Sequence, residues 1–403
     1  MLIGGSLMLP APGRSVRLST GLVQVIDGHI ASVTETDAID SADLGGDDLL
    51  ICPGFIDAHL HLPQIDSIGV DGLELLDWLD RVIFPAEARW ADTDYAGEMT
   101  RRVLDLLAAA GTTAFAAYAT VHHDAARQAI DIIAARGIRA IVGQVLMDRN
   151  APADLLRPCA QLIKEAASLM PQGRVEPAVT PRFAVSCSDE LLRASGGLAS
   201  KTNWPVQTHL AETRPECALI AELFEGLTYT EVYERSGLLG PRSILAHGIW
   251  LNDADRARIH HAGSLIAHCP TANLFLQSGR HDRIAALDSG LPACLGSDVA
   301  GGPDRSMPRV ARAMIETAKN RAAAPPTAAE AWWQITQGNA DSLNWSQTGR
   351  LEANTEADIL LVRPDIRWRD AVDPLGALLY AWDDRWLQTT LIAGCVAYTG
   401  QSS

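Results

Sequence analysis

No Cys-x-x-Cys pair occurs in this sequence of 403 residues, whose seven cysteines (Cys52, Cys159, Cys187, Cys217, Cys269, Cys294 and Cys395) are scattered. An odd, dispersed set argues against a disulfide framework and is read as reduced thiols of a cytoplasmic chain. Basic charge is also scarce, with 33 Lys and Arg against 49 Asp and Glu and a formal net charge of -16. Phosphate backbones are bound by clustered cations, so nucleic acid is excluded as a partner. A long apolar run is missing as well. The longest low-charge stretch, Leu106 to Val121, carries Gly111, Thr112 and Thr113 and splits into helix-like and strand-like halves. That is the pattern of a buried helix-to-strand passage and not of a membrane span. Met1 to Leu9 is apolar but short, follows no basic residues and runs into Pro10 and Pro12, so no signal peptide is expected.

What is present is an ordinary globular composition, 47% apolar and 20% charged, in a chain long enough for one large barrel and a small attached domain. Val23 to Ile26, Asp27-Gly28 and His29 to Val33 spell a hairpin. The Asp-rich residues 37–48 read as loop. Leu73, Leu75, Leu76, Trp78 and Leu79, within 72–84, have helical spacing, and their apolar content reads as packing. Helices are then expected at 92–110, 123–136 and 153–170, each leading to a strand, at 112–119, 138–146 and 174–181. Further strands are expected at 205–209, 243–247, 264–268 and 291–297. With 54–61 as the first, these alternate with helices eight times. Parallel strands with right-handed crossovers then close into an α/β fold, a (β/α)8 TIM barrel. After a helix at 327–343, residues 349–362 and 387–398 look like strands. Both chain ends, 1–52 and 346–403, are therefore expected to form a small β-sandwich domain beside a barrel of 53–345.

The first barrel strand ends in His59-Leu60-His61, whose imidazoles share one side at the strand period of two. Such a pair suits a divalent metal, although two histidines can equally hydrogen-bond carbonyls in a core. Barrel enzymes carry their chemistry at the C-terminal strand ends, and there the sequence also places His209, His247 and Asp298. Taken singly, His209 and His247 are also read as core histidines, and Asp298 as a helix N-cap before Gly301 and Gly302. Together they match a metal site with a position left for water. Glu212, three residues past His209, has the reach of a proton shuttle; its alternative is a solvated first-turn glutamate. His268 ends the seventh strand in a supporting role, while His122-His123 and His260-His261 fall at helix ends.

Seven stretches carry a resemblance: Pro53 to Gln64 (PGFIDAHLHLPQ), Leu76 to Glu87 (LDWLDRVIFPAE), Thr180 to Phe183, Gln207 to Glu212 (QTHLAE), Leu245 to Gly248, Ala267 to Phe275 (AHCPTANLF) and Gly296 to Gly302 (GSDVAGG). In order and content they resemble the amidohydrolase superfamily and, within it, the guanine deaminases. The resemblance implies one Zn²⁺ per chain on His59, His61, His209 and Asp298, with Fe²⁺ as the alternative the same ligands accept. It implies that Glu212, His247 and Asp298 are catalytic and that Gln64, Arg182, Phe183 and His209 meet a purine or purine-like substrate. Planar donors and acceptors from Gln and Arg suit a flat base, and an aromatic wall suits its face. Without the resemblance, Gln64 reads as a loop residue, Arg182 as a surface ion-pair partner and Phe183 as packing. A homodimer is also implied.

The resemblance implies zinc-dependent hydrolysis of guanine to xanthine and ammonia. The alternative is another aminated ring, such as a pterin, 8-oxoguanine or a triazine. A metal-binding scaffold without activity would have no use for Glu212 beside an open metal position. The deaminase architecture built on Pro-Cys-x-x-Cys is excluded. Pro303, Asp304, Trp332, Trp333 and Trp345 have no counterpart in the matched stretches.

Overall fold

The computed structural model describes residues 1–319 and 325–400. Eight short strands, Phe55–His61, Thr112–Tyr118, Arg139–Gly143, Val175–Pro177, Val206–Leu210, Ser243–His247, Leu265–His268 and Ala293–Leu295, form two four-stranded parallel sheets. Their almost continuous burial is what a parallel sheet covered on both faces requires. The sheets meet along two seams. At one, Val179 pairs with Val206, and Gln207 N–H donates to the Val179 carbonyl at 3.0 Å. At the other, Asp298 N–H donates to the His59 carbonyl at 2.8 Å and His61 N–H to the Val299 carbonyl at 3.2 Å. The ring so closed is the expected barrel.

Helix Thr93–Ala109 illustrates how the outer layer is specified. Asp92 caps it by accepting the N–H groups of Asp94 and Tyr95, an arrangement worth about 1 kcal/mol. Ala96, Met99, Val103 and Leu107, three or four residues apart, are its buried stripe. It stops before Gly111, whose φ of +82° suits glycine.

The chain ends supply a seven-stranded mixed sheet in the order Cys395–Thr399, Leu387–Ile392, Ile359–Val362, Leu44–Pro53, Leu2–Ala11, Ser15–Ile26 and His29–Glu35. A bridge between His29 and Glu356 brings the outer strand back towards the other end. The folded-over sheet is a β-sandwich enclosing Ile3, Leu7, Val23, Ile30, Ile51, Ile359 and Leu391. The sandwich packs on the barrel through Phe55, Trp332 and Trp382, whose ring centroids are 5.5 to 5.9 Å apart. Arg174 adds a polar tie, pairing with Asp358 at 2.6 Å and with Glu356, which also takes Arg139. Trp332 and Trp345, unmatched in the sequence, are thus core residues.

The structure corrects several expected boundaries. Residues 37–48 are not all loop, because Leu44–Pro53 is a central strand of the mixed sheet. The helix expected at 153–170 is a short turn at Ala153–Leu155 and a helix at Cys159–Ala166, divided at Pro158. Of 349–362 only Ile359–Val362 is strand, since Gly349 and Asn354 take left-handed backbone. Segment 72–84 becomes helical only at Leu75 and continues through a π-turn at Leu79–Ile83 to Ala88. No helix among the described residues is long and apolar enough to cross a membrane.

Candidate active site

The C-terminal ends of the barrel strands converge as the sequence anticipates. His59 and His61 Nε2 lie 3.2 and 3.3 Å from Asp298 Oδ1, and His61 Nε2 lies 3.2 Å from His209 Nε2. Donor atoms of His59, His209, His247 and Asp298 all fall within 4.8 Å of one another. His61, outside that tight foursome, belongs to the cluster through its contacts with His209 and Asp298. Two short-range devices allow the approach. Gly296 passes so close to His59 that a Cβ there would sit 2.6 Å from the His59 Cβ. Ala211, His247 and Asp298 turn off their strands with φ of 47°, 71° and 50°, a conformation that costs on the order of 1–3 kcal/mol each and gathers at functional sites.

Hydrogen bonds fix the imidazoles. His209 Nδ1–H donates to the Arg182 carbonyl at 2.6 Å and His247 Nδ1–H to Asn273 Oδ1 at 2.9 Å, so each presents an Nε2 lone pair inward. Burial, with the neighbouring histidines, pushes His209 well below the usual imidazole range, and burial lowers His61 to about 4. His59 Nε2 and His247 Nε2 are buried without a hydrogen-bond partner. Imidazole nitrogens gathered around the Asp298 carboxylate, two of them buried without a hydrogen-bond partner, form a donor set that a divalent cation satisfies.

Glu212 is 3% exposed and precedes helix Arg214–Leu223, so it is not the solvated first-turn residue of the alternative reading. Its Oε1 accepts the Ser278 hydroxyl at 2.7 Å, and its Oε2 lies 3.4 Å from His247 Nε2. Burial first, and then the Asp298 charge, pushes its carboxyl up to about 8. Glu216 follows in the Thr213 capping box; its Oε2 accepts the N–H of Glu212 at 2.9 Å. Burial and the Glu212 charge push Glu216 to about 7.

A small cavity opens on this cluster. Its wall includes His61, Gln64, Arg182, Phe183, His209, Glu212, His247 and Asp298. Arg182 is no surface residue but 2% exposed, and Gln64 is 1% exposed. Both bind Glu87: Gln64 Nε2 donates to Oε1 at 3.0 Å, and Arg182 Nη1 donates to Oε1 and Oε2 at 2.6 and 2.7 Å. Leu75, Trp78 and Leu79, read from the sequence as packing rather than ligand contact, also line the cavity. His268 lines a different cavity, with its ring 4.9 Å from that of His281. Sequence reasoning assigned nothing to Glu87, Glu216, Ser278, Asn273 or Asp57. Asp57 Oδ1 accepts the N–H of Ser297 and of His59, bracing the seam. Its sequence signal was its place in the matched stretch Pro53 to Gln64, two residues before His59.

Residues 50–397 match the model of the Amidohydrolase family. The guanine deaminase of Dictyostelium discoideum is 33% identical over 366 residues, 85% of this chain and 81% of the relative. That of Escherichia coli K12 is 31% identical over 367 residues, 87% and 83% of the two chains. The solved structure of E. coli guanine deaminase superposes with a TM-score of 0.94 at 28% identity, covering 99% of both chains. The C. acetobutylicum guanine deaminase with guanine in its active site gives 0.91 at 28% identity, covering 98% of this chain and 99% of that one. The chain belongs to the amidohydrolase family and, within it, groups with the guanine deaminases.

Proposed function

We propose that the chain hydrolyses guanine to xanthine and ammonia, water adding at C2 and the exocyclic amine leaving. One observation carries the reading. The polar clamp of Gln64 and Arg182 and the cluster of His61, His209, His247, Glu212 and Asp298 share one small cavity, in a chain that matches guanine deaminases over four fifths of their length. His59, His61, His209 and Asp298 are the residues that would hold one Zn²⁺, with Fe²⁺ as the alternative. When bound, such a metal supplies Lewis acidity and a water of lowered pKa.

The side chains account for the remaining chemistry. Gln64 and Arg182 hydrogen-bond the purine edge, and Phe183, 4% exposed beside Arg182, lines the ring. Glu212 is anchored through Oε1 by Ser278, which leaves Oε2 to take a proton from the attacking water and deliver it to the ring nitrogen beside C2. His247, with its tautomer fixed by Asn273, orients that water. Asp298 takes the second proton and passes it to the departing amine, so ammonia leaves neutral. We also retain a homodimer and a cytoplasmic setting as part of this reading.

Ammonia release from guanine, 8-oxoguanine, isoxanthopterin, adenine and cytosine tests it, with metal analysis of the same sample. Guanine is expected to be turned over far faster than the others at about one metal per chain. A metal-loaded protein that ignores guanine but deaminates another ring refutes the substrate while keeping the site. Glu212→Gln is expected to retain the metal and lose turnover.

A further inference from the structure

Glu87 is fully buried, at 0% exposure, and stands behind the cavity wall, reaching it only through Gln64 and Arg182. It lies on the short helix Phe84–Ala88, whose Phe84 ring packs 5.6 Å from the Arg182 guanidinium carbon. A carboxylate accepts hydrogen bonds and donates none. Gln64 must therefore turn its NH₂ towards Glu87, so its Oε1 points the other way as a fixed acceptor. Arg182 commits Nη1 to both oxygens of Glu87, which leaves Nε and Nη2 as its remaining donors. The pairing also cancels the Arg182 charge where little water screens it.

We propose that Glu87 is a positioning and specificity residue: it sets the hydrogen-bond polarity of Gln64 and neutralises Arg182, so that the site takes a neutral purine in preference to an anionic one. The inference rests on the guanine reading and deepens it. Xanthine, the product, has a carbonyl where guanine has its amine, which makes its ring N–H groups more acidic. It is therefore the more anionic of the two at alkaline pH, and an uncompensated Arg182 should hold it.

The test compares guanine KM and xanthine inhibition in wild type, Glu87→Gln and Glu87→Asp, at mildly acidic and at alkaline pH, with metal content checked for each. Glu87→Gln is isosteric but uncharged and lets Gln64 turn over. Its guanine KM should rise about tenfold or more, because a clamp built to hydrogen-bond a partner discriminates steeply when its polarity is wrong. Its ratio of guanine KM to xanthine inhibition constant should also rise, by about tenfold at alkaline pH and by less in acid. Mere loosening weakens both ligands in parallel and leaves that ratio where it was. Glu87→Asp keeps the charge and should raise KM about three- to tenfold with the ratio within about twofold of wild type; it serves equally if Glu87→Gln does not fold. An unmoved ratio in a folded Glu87→Gln, a shifted ratio in Glu87→Asp, or a wild-type KM in either variant overturns the inference while guanine turnover stands. Wild-type protein that does not deaminate guanine removes the reading beneath it as well.

Discussion

The backbone carbonyl of Arg182 accepts the Nδ1–H of His209 at 2.6 Å, while the Arg182 side chain runs to Glu87. One residue thus orients an imidazole of the cluster through its main chain and, in the proposed function, builds the substrate clamp through its side chain. The two roles separate on mutation. Arg182→Met keeps the carbonyl, so metal content should remain at the wild-type level while kcat/KM for guanine falls about a hundredfold or more, mainly through KM. It also strands Glu87 in the core, which should cost about 3–5 kcal/mol of stability. Metal analysis, steady-state kinetics and denaturant titration check the three parts; lost metal with intact KM would contradict the division of labour.

Asn273 holds His247 by accepting its Nδ1–H, with 2% exposure of its own. Asn273→Leu removes the acceptor that selects the tautomer. Turnover should fall about 10- to 100-fold, the scale of losing an outer partner that fixes the orientation of an active-site histidine, with KM for guanine nearly unchanged. A large KM effect with normal kcat would place Asn273 in substrate binding instead.

The parts of this fold that were legible in sequence are those with a strong local signal. Alternation of apolar runs with amphipathic helices placed the eight strands, and Ser243–His247 agrees residue for residue. The histidines and Asp298 were visible because a strand-end position says where a side chain points. What stayed hidden depends on distant partners. Nothing local to Glu87 announces that Gln64 and Arg182, 23 and 95 residues away, share its carboxylate. Glu216 drew no reading from the sequence: a glutamate three residues after a threonine is an ordinary capping pattern, and only burial by the rest of the barrel makes this one unusual. Leu44–Pro53 was missed because its polar first half, exposed at Asp47 and Asp48, reads as loop until Ile359–Val362 and Leu2–Ala11 pair with it.

Glu216 gives a pH signature of stability. Its carboxyl is pushed up to about 7, by burial first and the Glu212 charge second, from 4.5 in the unfolded chain. The folded state therefore binds more protons in that interval, and stability falls as pH rises from the unfolded value to the folded one. The loss amounts to on the order of 3 kcal/mol by about pH 7. Glu216→Gln keeps an oxygen for the Glu212 and Thr213 N–H groups without the charge. Unfolding free energies between about pH 4.5 and 7 should decline less steeply in the variant than in wild type. Parallel curves would show that Glu216 does not titrate in this window.

Gly296 links packing to the metal. Any side chain there meets the His59 Cβ at 2.6 Å and its backbone N and O at 2.9 and 3.0 Å, atoms of a fully buried strand that cannot swing aside. Gly296→Ala should cost about 1–3 kcal/mol through overpacking and displace His59 from the cluster. Metal affinity should then fall about tenfold or more, read by competition with a chromophoric chelator. The link has a second expression: a ligand that binds only the folded state stabilises it by mass action, by about 4 kcal/mol at a thousandfold excess over its Kd. Added zinc should therefore raise the Tm of stripped wild-type protein clearly, and that of Gly296→Ala by less at the same free concentration. Equal shifts in the two proteins would show that His59 tolerates the intrusion and that the approach of Gly296 serves packing alone.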